Sequence, residues 1–146
     1  AGLEDVAAQV GFGAVAETLA AGALDVEAAR ARAQTDRLLS AALDIAGVTA
    51  FGDKTDRLPH VICLGVDGVE AEAVLLGLDQ AGVAAHSGSA CSSEALEPSP
   101  VLEAMGVDAE RSLRLSVGWS TRDDEIEVAA AALPAVVDRL RALAAG

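Results

Sequence analysis

The sequence predicts an α/β fold, in which a small mixed or antiparallel sheet packs with helices as a two-layer α+β sandwich. The first observation is the order of segments, which runs helix, helix, strand, strand, helix, strand, loop, helix, strand, helix. The second is that 52% of the residues are hydrophobic, with only one Trp, two Phe and no Tyr, so small aliphatic side chains must build the core. A length of 146 residues without a repeat or linker predicts a single domain over 1–146.

Two helices are predicted at the start of the chain. An Ala-rich run from Val6 to about Ala20 forms the first, and Gly22 interrupts it. Asp25 is expected to cap the second helix, which continues to about Ala46 and stops at Gly47. The late apolar stripe of this helix consists of Leu38, Leu39, Leu43 and Ile45.

The middle of the chain predicts strands around one helix. Val48–Phe51 forms a short strand, and the continuous apolar run His60–Val66 forms a buried one. A helix follows over about Val69–Ala81, and Val83–Ala85 forms a short strand after it. The side chains expected to point inward from that helix are Ala73, Leu76 and Leu78.

The end of the chain predicts a short helix, a strand and a long helix. Pro98 is expected to start the short helix, which ends at Met105. Ser112–Gly118 alternates apolar and polar residues, which indicates a half-buried strand. Thr121 and Asp124 are spaced as a capping box for the last helix, and Pro134 should kink that helix. Its apolar face is predicted to contain Ile126, Ala130, Leu133, Val137 and Leu140.

Charge and cysteine content narrow the function classes. A net charge of −13, from 23 acidic and 10 basic residues, argues against nucleic acid and against an anionic membrane surface. Neither a signal peptide nor an apolar run of about 18 residues is recognisable, so we expect a soluble cytoplasmic protein. Cys63 lies in an apolar run and is expected to be buried. The sequence leaves a disulfide between Cys63 and Cys91 as an alternative, although two reduced cysteines fit a cytoplasmic protein better.

Cys91 is the candidate nucleophile because small and polar residues surround it. A reactive thiol needs access, a way to form the thiolate and room for a second molecule to approach the sulfur. From these residues alone, an ordinary exposed cysteine is the alternative. His86 could tune the Cys91 thiol as a nearby base, but no Cys/His spacing is typical of zinc, and no metal site is predicted. Trp119, the only Trp, is expected to have a packing role.

Several stretches together resemble the cysteine desulfurases, which are pyridoxal-phosphate enzymes of the class V aminotransferase fold. The stretch that carries most of the resemblance is Ser87-Gly88-Ser89-Ala90-Cys91-Ser92-Ser93, followed by Leu96-Glu97-Pro98-Ser99. It is similar to the branch of the family with a long, mobile Cys loop. The supporting stretches are 57–61, 69–75, 113–118 and 121–126.

The resemblance implies a reaction that converts L-cysteine to L-alanine and transfers the sulfur to Cys91 as a persulfide. It implies that Arg114 binds the substrate carboxylate and that pyridoxal phosphate is the cofactor of the complete enzyme. Expected partners are a second copy in a homodimer and a sulfur acceptor, which is an iron–sulfur scaffold or a thiolation protein. The remaining residues that the resemblance assigns to the active-site loop are His86, Ser87, Gly88, Ser89, Ala90, Ser92, Ser93, Glu97 and Pro98.

The same resemblance predicts that this chain holds no cofactor by itself. The family needs a lysine in a large cofactor-binding domain, and the only lysine here, Lys54, lies in a polar turn. Leu3 and Asp5 also depart from the family's Gly-Thr-Glu-Asn motif near the start of this region. We therefore expect the chain to be inactive alone. The alternatives are a standalone persulfide carrier and a relative of the selenocysteine lyases.

Overall fold

A four-stranded antiparallel sheet forms one layer of the computed structural model, which describes residues 2–87 and 99–146. The strands are β1 (Val48–Phe51), β2 (Val61–Val66), β3 (His86–Ser87) and β4 (Ser112–Ser116). Their order across the sheet is β1-β2-β4-β3, and each neighbouring pair is antiparallel. The predicted α/β class with a small sheet is confirmed.

The second layer is helical. Its elements are α1 (Val6–Thr18), a π-helical segment (Leu19–Ala23), α2 (Leu24–Leu43), α3 (Ala71–Gln80), α4 (Pro100–Ala104) and α5 (Asp123–Ala144). Gly22 has a φ of 89°, a conformation that glycine adopts without a steric penalty, and this residue bends the chain between α1 and α2 as predicted. Asp25 does not cap α2, because the chain enters α2 directly from the π-helical segment and Ala23 occupies the cap position.

The core lies between the helices and one face of the sheet. Alternation in β2 and β4 directs Ile62, Leu64, Leu113 and Leu115 to this face, and each is at most 5% exposed. Side chains from α2, α3 and α5 cover them, and complete burial of one such side chain contributes roughly 1.5–3 kcal/mol. The fully buried helical contributors are Ala42, Val74 and Val137.

A close approach between α3 and α5 depends on a glycine. A Cβ built on Gly77 would lie 2.5 Å from Cγ1 of Val136. The absence of a side chain therefore lets α5 lie directly against α3. This contact holds α5 over the sheet, where Ile126, Ala130, Leu133 and Val137 are buried as their spacing predicts. Helix α5 continues through Pro134 to Ala144.

Several local predictions are wrong. Helix α3 begins at Ala71, and Leu76 points outward at 61% exposed, while Val74 takes the inward position. The strand after it is His86–Ser87, since the Val83 N–H is bonded to the Leu78 carbonyl at 2.9 Å and closes the helix end. Trp119 is 77% exposed and does not pack in the core.

Two helix starts are also displaced from their predicted residues. Helix α4 begins at Pro100, whereas the predicted start, Pro98, lies outside the described residues. At α5 the Glu125 carboxylate accepts a hydrogen bond from the Arg122 backbone N–H at 2.9 Å, so the capping pair is shifted by one residue. Thr121 instead accepts from the Gly118 N–H at 2.9 Å and shapes the preceding turn.

Helix α1 contributes no buried residue to the domain. Its exposed apolar side chains include Val6, Val10, Phe12 and Val15, of which Phe12 is 78% exposed. By length and composition alone, the helical run Val6–Leu43 also meets the criterion for a membrane-spanning helix. The expectation that no segment is long and apolar enough was therefore wrong. An unburied helix with apolar side chains on every side requires a partner surface.

Candidate substrate-carboxylate site

A row of three chemically active side chains crosses the sheet on the face opposite the core. Cys63 on β2 and His86 on β3 both pair directly with Arg114 on β4. Directly opposed residues of antiparallel strands project from the same face, with Cβ atoms about 4.5–5.5 Å apart. All three side chains are half-buried. We call this surface the open face, and Arg114 lies at the centre of its row.

The Arg114 guanidinium has no hydrogen bond or ion pair within the described part of the chain. Arg57 offers a direct contrast, because it is also half-buried but bonds the Thr35 hydroxyl at 3.1 Å and forms an ion pair with Asp36. A half-buried cation without a partner is costly unless an anion reaches it. The planar guanidinium presents paired donors that match a carboxylate, so an organic acid fits this position.

Cys63 lies beside Arg114 and shares its environment. The thiol is half-buried instead of fully buried as expected. Burial raises its pKa, and the Arg114 cation counteracts part of that rise. Cys63 is therefore a protonated neighbour of Arg114 at neutral pH. Sequence patterning placed Cys63 in a strand but gave no signal that it adjoins Arg114.

His86 flanks Arg114 from the other side. Its Nδ1 lies 3.1 Å from the Ser87 carbonyl oxygen, which can only accept a hydrogen bond, so Nδ1 carries a proton. Nε2 is therefore the ring nitrogen that can face another partner. Within residues 2–87 and 99–146, no group of three or more His, Cys, Asp or Glu side chains is arranged to hold a metal ion.

The predicted nucleophile lies outside the described residues, together with most of its loop. Cys91, Gly88, Ser89, Ala90, Ser92, Ser93, Glu97 and Pro98 belong to this segment. Ser87, the last described residue before it, pairs with Leu113 on β4. The chain therefore enters the Cys91 segment from a strand that adjoins the one carrying Arg114. The catalytic role of Cys91 stays a prediction.

The residues of this chain do not fit pyridoxal phosphate. The cofactor's aldehyde requires a lysine amine inside its site. Lys54 is exposed in the turn between β1 and β2, where the Asp53 carboxylate accepts from the Thr55 and Asp56 N–H groups at 2.7 Å. Since β1 and β3 are opposite edges of the sheet, Lys54 is also remote in topology from His86.

Comparison with known proteins defines the class of this chain. The profile of the family described as Aminotransferase class-V matches residues 1–128. The chain therefore belongs to the class-V aminotransferase family.

The curated relatives reported below are both named cysteine desulfurases. A cysteine desulfurase from Klebsiella pneumoniae is 40% identical over 98% of this chain, which corresponds to 36% of that protein. Cysteine desulfurase IscS 1 from Archaeoglobus fulgidus is 38% identical over 97% of this chain and 38% of its own length. The chain thus spans a little over a third of the length of these relatives.

Solved structures give the same fold. The NifS-like protein from Rickettsia africae superposes with a TM-score of 0.76 at 25% identity, covering 94% of this chain and 36% of that one. The cysteine desulfurase CsdA from Escherichia coli superposes with a TM-score of 0.73 at 20% identity, covering 96% of this chain and 32% of that one. The predicted relation to class V aminotransferases and cysteine desulfurases is confirmed.

Proposed function

We propose that this chain is the part of a cysteine desulfurase that binds the substrate carboxylate and carries the sulfur-accepting thiol. The observation that carries the proposal is the half-buried Arg114 on the open face, which has no hydrogen-bond or ion-pair partner among residues 2–87 and 99–146. The adjacent strand β3 leads into the segment that contains Cys91. Similarity to curated cysteine desulfurases over nearly the whole chain supports the same activity.

In the proposed reaction, L-cysteine and the Cys91 thiol give L-alanine and a Cys91 persulfide. The carbon–sulfur bond of the substrate breaks, a sulfur–sulfur bond forms on Cys91, and all atoms are conserved between the two sides. Arg114 holds the substrate carboxylate throughout and thereby fixes the position of the amino acid. Pyridoxal phosphate would supply the electron sink from a part of the enzyme that has no counterpart in this chain.

The exposed apolar side chains of helix α1 support the proposal that the active enzyme includes a further polypeptide region. Residues 1–29 contain no Lys or Arg, which disfavours docking on an anionic lipid surface. An apolar protein surface suits this helix better, because small and apolar side chains permit close packing. We infer that α1 buries against the cofactor-bearing part of the enzyme, and that this chain alone does not turn over cysteine.

The test of the activity uses the complete, cofactor-loaded enzyme. Cys91→Ser should abolish sulfide release while cysteine still binds, and Arg114→Met should raise the KM for L-cysteine by at least about tenfold. Arg139→Met is the matched control, because Arg139 is an exposed arginine on α5. Undiminished sulfide release by Cys91→Ser would overturn the role of Cys91. An unchanged KM in Arg114→Met would overturn the carboxylate site.

The docking of α1 has its own test. Phe12→Asp should destabilise the complete enzyme and release the cofactor at a lower temperature, because a charge would be buried without a partner. Leu143→Asp near the end of α5 is the control, since Leu143 is similarly exposed at 73%. Equal effects of the two substitutions would contradict the assignment.

The biological setting follows from the same proposal. The enzyme would act in the cytoplasm as a homodimer and pass the persulfide sulfur to an iron–sulfur scaffold or a thiolation protein. A standalone persulfide carrier is not favoured, because the matched relatives are named cysteine desulfurases. Mass spectrometry of the isolated chain after incubation with an active desulfurase distinguishes the two. A one-sulfur adduct on Cys91 of the isolated chain would favour the carrier.

A further inference from the structure

We propose that a groove between helix α3 and the chain leading into β3 binds the protein that accepts sulfur from Cys91, and that this protein presents an apolar side chain among lysines or arginines. The inference rests on the proposed function, because it assumes that Cys91 carries a persulfide. It adds the surface on which the acceptor binds and the chemistry that the acceptor must present.

The groove forms where the chain turns back at the end of α3. Gly82 has a φ of 77°, and its N–H is bonded to the Asp79 carbonyl at 2.9 Å, so the turn leads residues 83–85 back beside the helix. The space between these two segments has a volume of about 400 Å³. Apolar side chains of both segments and two carboxylates line it, and they include Leu75, Leu76, Val83, Ala85, Glu72 and Asp79.

Leu76 is the apolar centre of the groove. Its side chain is 61% exposed, whereas Val74 and Leu78 of the same helix are buried in the core. An exposed leucine in a concave surface offers apolar area that a side chain of a partner can cover. Glu72 and Asp79 lie four residues before and three residues after Leu76, so they share its face of the helix and place a carboxylate at each end.

The charge around the groove selects the partner. Residues 58–110, which include both the groove and Cys91, contain nine acidic residues and no Lys or Arg. Among residues 2–87 and 99–146, no Lys or Arg lines the groove, and neither Glu72 nor Asp79 forms an ion pair. A basic partner is therefore attracted by both carboxylates, while an acidic partner is repelled.

The groove and Cys91 belong to neighbouring stretches of the chain. Ala85 lines the groove, the next two residues form β3, and Cys91 follows four residues after Ser87. Helix α3 packs on the core side of the sheet, whereas Arg114 lies on the open face, so a partner in the groove leaves the carboxylate site free. An acceptor bound here is held beside the strand that leads into the Cys91 segment.

The transfer itself needs no further reagent. The thiolate of the acceptor attacks the outer sulfur of the Cys91 persulfide, so one sulfur–sulfur bond breaks and another forms on the acceptor. The Cys91 thiolate leaves and takes up the proton that the acceptor thiol lost. Atoms and electrons therefore balance between an enzyme persulfide and an acceptor persulfide.

The test measures sulfur transfer from the complete, cofactor-loaded enzyme to two synthetic peptides. Both contain one cysteine and a leucine, but one carries lysines where the other carries glutamates. At low salt the KM for the lysine peptide should be the lower of the two, and added salt should reduce the difference. Glu72→Gln together with Asp79→Asn should raise the KM for the lysine peptide about fivefold with kcat little changed. Leu76→Ser should raise the KM for both peptides.

The control removes equal charge from another surface. Asp44→Asn together with Asp138→Asn changes the cleft between α2 and α5 and should leave both KM values almost unchanged. Sulfide release driven by dithiothreitol needs no acceptor surface and should be equal in all variants. If dithiothreitol releases no sulfide from the parent enzyme, the proposed function fails. If it does, and the KM for the lysine peptide stays unchanged in the groove variant or rises equally in the control, the acceptor surface is overturned.

Discussion

Arg114 and Cys63 are direct partners across the β2–β4 ladder, and their side chains lie together on the open face of the sheet. The pair joins a guanidinium without a described partner to a half-buried thiol. Burial raises the pKa of the thiol, and the adjacent cation limits that rise. The chemical behaviour of Cys63 therefore reports on the charge at position 114.

The first prediction uses this coupling. Because the pKa of Cys63 is raised, its alkylation by iodoacetamide at pH 8 should be slower than that of free cysteine. Arg114→Met removes the cation that stabilises the thiolate, so the pKa should rise further and alkylation should slow again. The rate is followed by mass spectrometry of the Cys63 peptide over a range of pH in a Cys91→Ser background.

Arg139→Met is the control for this experiment, since it removes an equal charge from an exposed position on α5. It should leave the Cys63 rate unchanged. Faster alkylation in Arg114→Met than in the parent would contradict the electrostatic coupling.

The second prediction concerns the contact between α3 and α5. Gly77→Ala places a Cβ 2.5 Å from Cγ1 of Val136, so the Val136 side chain or one of the two helices must shift. We expect a loss of about 1–3 kcal/mol in the free energy of unfolding, measured by urea denaturation. Gly11→Ala on α1 is the matched control, because its Cβ meets nothing within 4 Å. That substitution should stabilise the helix by about 0.5–1 kcal/mol, and a loss equal to that of Gly77→Ala would refute the packing argument.

The third prediction concerns the aromatic ring on the open face. A Cβ on Gly65 would lie 2.5 Å from Cζ of Phe51, because the ring lies over the glycine. Gly65→Ala should therefore cost about 1–3 kcal/mol. In a Phe51→Ala background the same change should cost much less, since the obstacle is gone. A double-mutant cycle measures this coupling. If the free-energy costs of the two substitutions are simply additive, the position of the Phe51 ring does not depend on Gly65.

Sequence patterning predicted on which face of the sheet a side chain lies, but not which residue pairs with it on the neighbouring strand. The alternation in Ser112–Gly118 placed Leu113 and Leu115 in the core, and both are at most 5% exposed. It also placed Arg114 on the opposite face. Periodicity carries no information about register between distant segments, however, and Cys63 lies 51 positions before Arg114 in the chain. The row on the open face therefore emerges only from the structure.

The start of α2 and the position of Trp119 were predicted less well, because tertiary contacts override local preferences. Asp25 has a good capping side chain, but the π-helical segment before Leu24 leaves no free helix start. Trp119 was expected to have a packing role. Its backbone carbonyl instead accepts a hydrogen bond from Arg30, which fixes the turn while the side chain stays exposed.

The last prediction concerns the connection between the end of α5 and two turns of the domain. The Arg141 guanidinium donates to the Ala46 carbonyl at 2.7 Å and to the Asp67 carbonyl at 2.7 and 3.2 Å. These turns follow α2 and β2, and the Asp67 N–H also bonds the Gly47 carbonyl at 2.9 Å. A lysine ammonium is a single point and cannot reproduce the guanidinium fork, so Arg141→Lys should lower the free energy of unfolding by about 1 kcal/mol. Arg139→Lys, two positions earlier on the same helix, should have almost no effect. Because the fork bonds neutral carbonyls, the difference between the two variants should depend only weakly on salt concentration. A loss that disappears in high salt would indicate that Arg141 acts through the acidic surface instead.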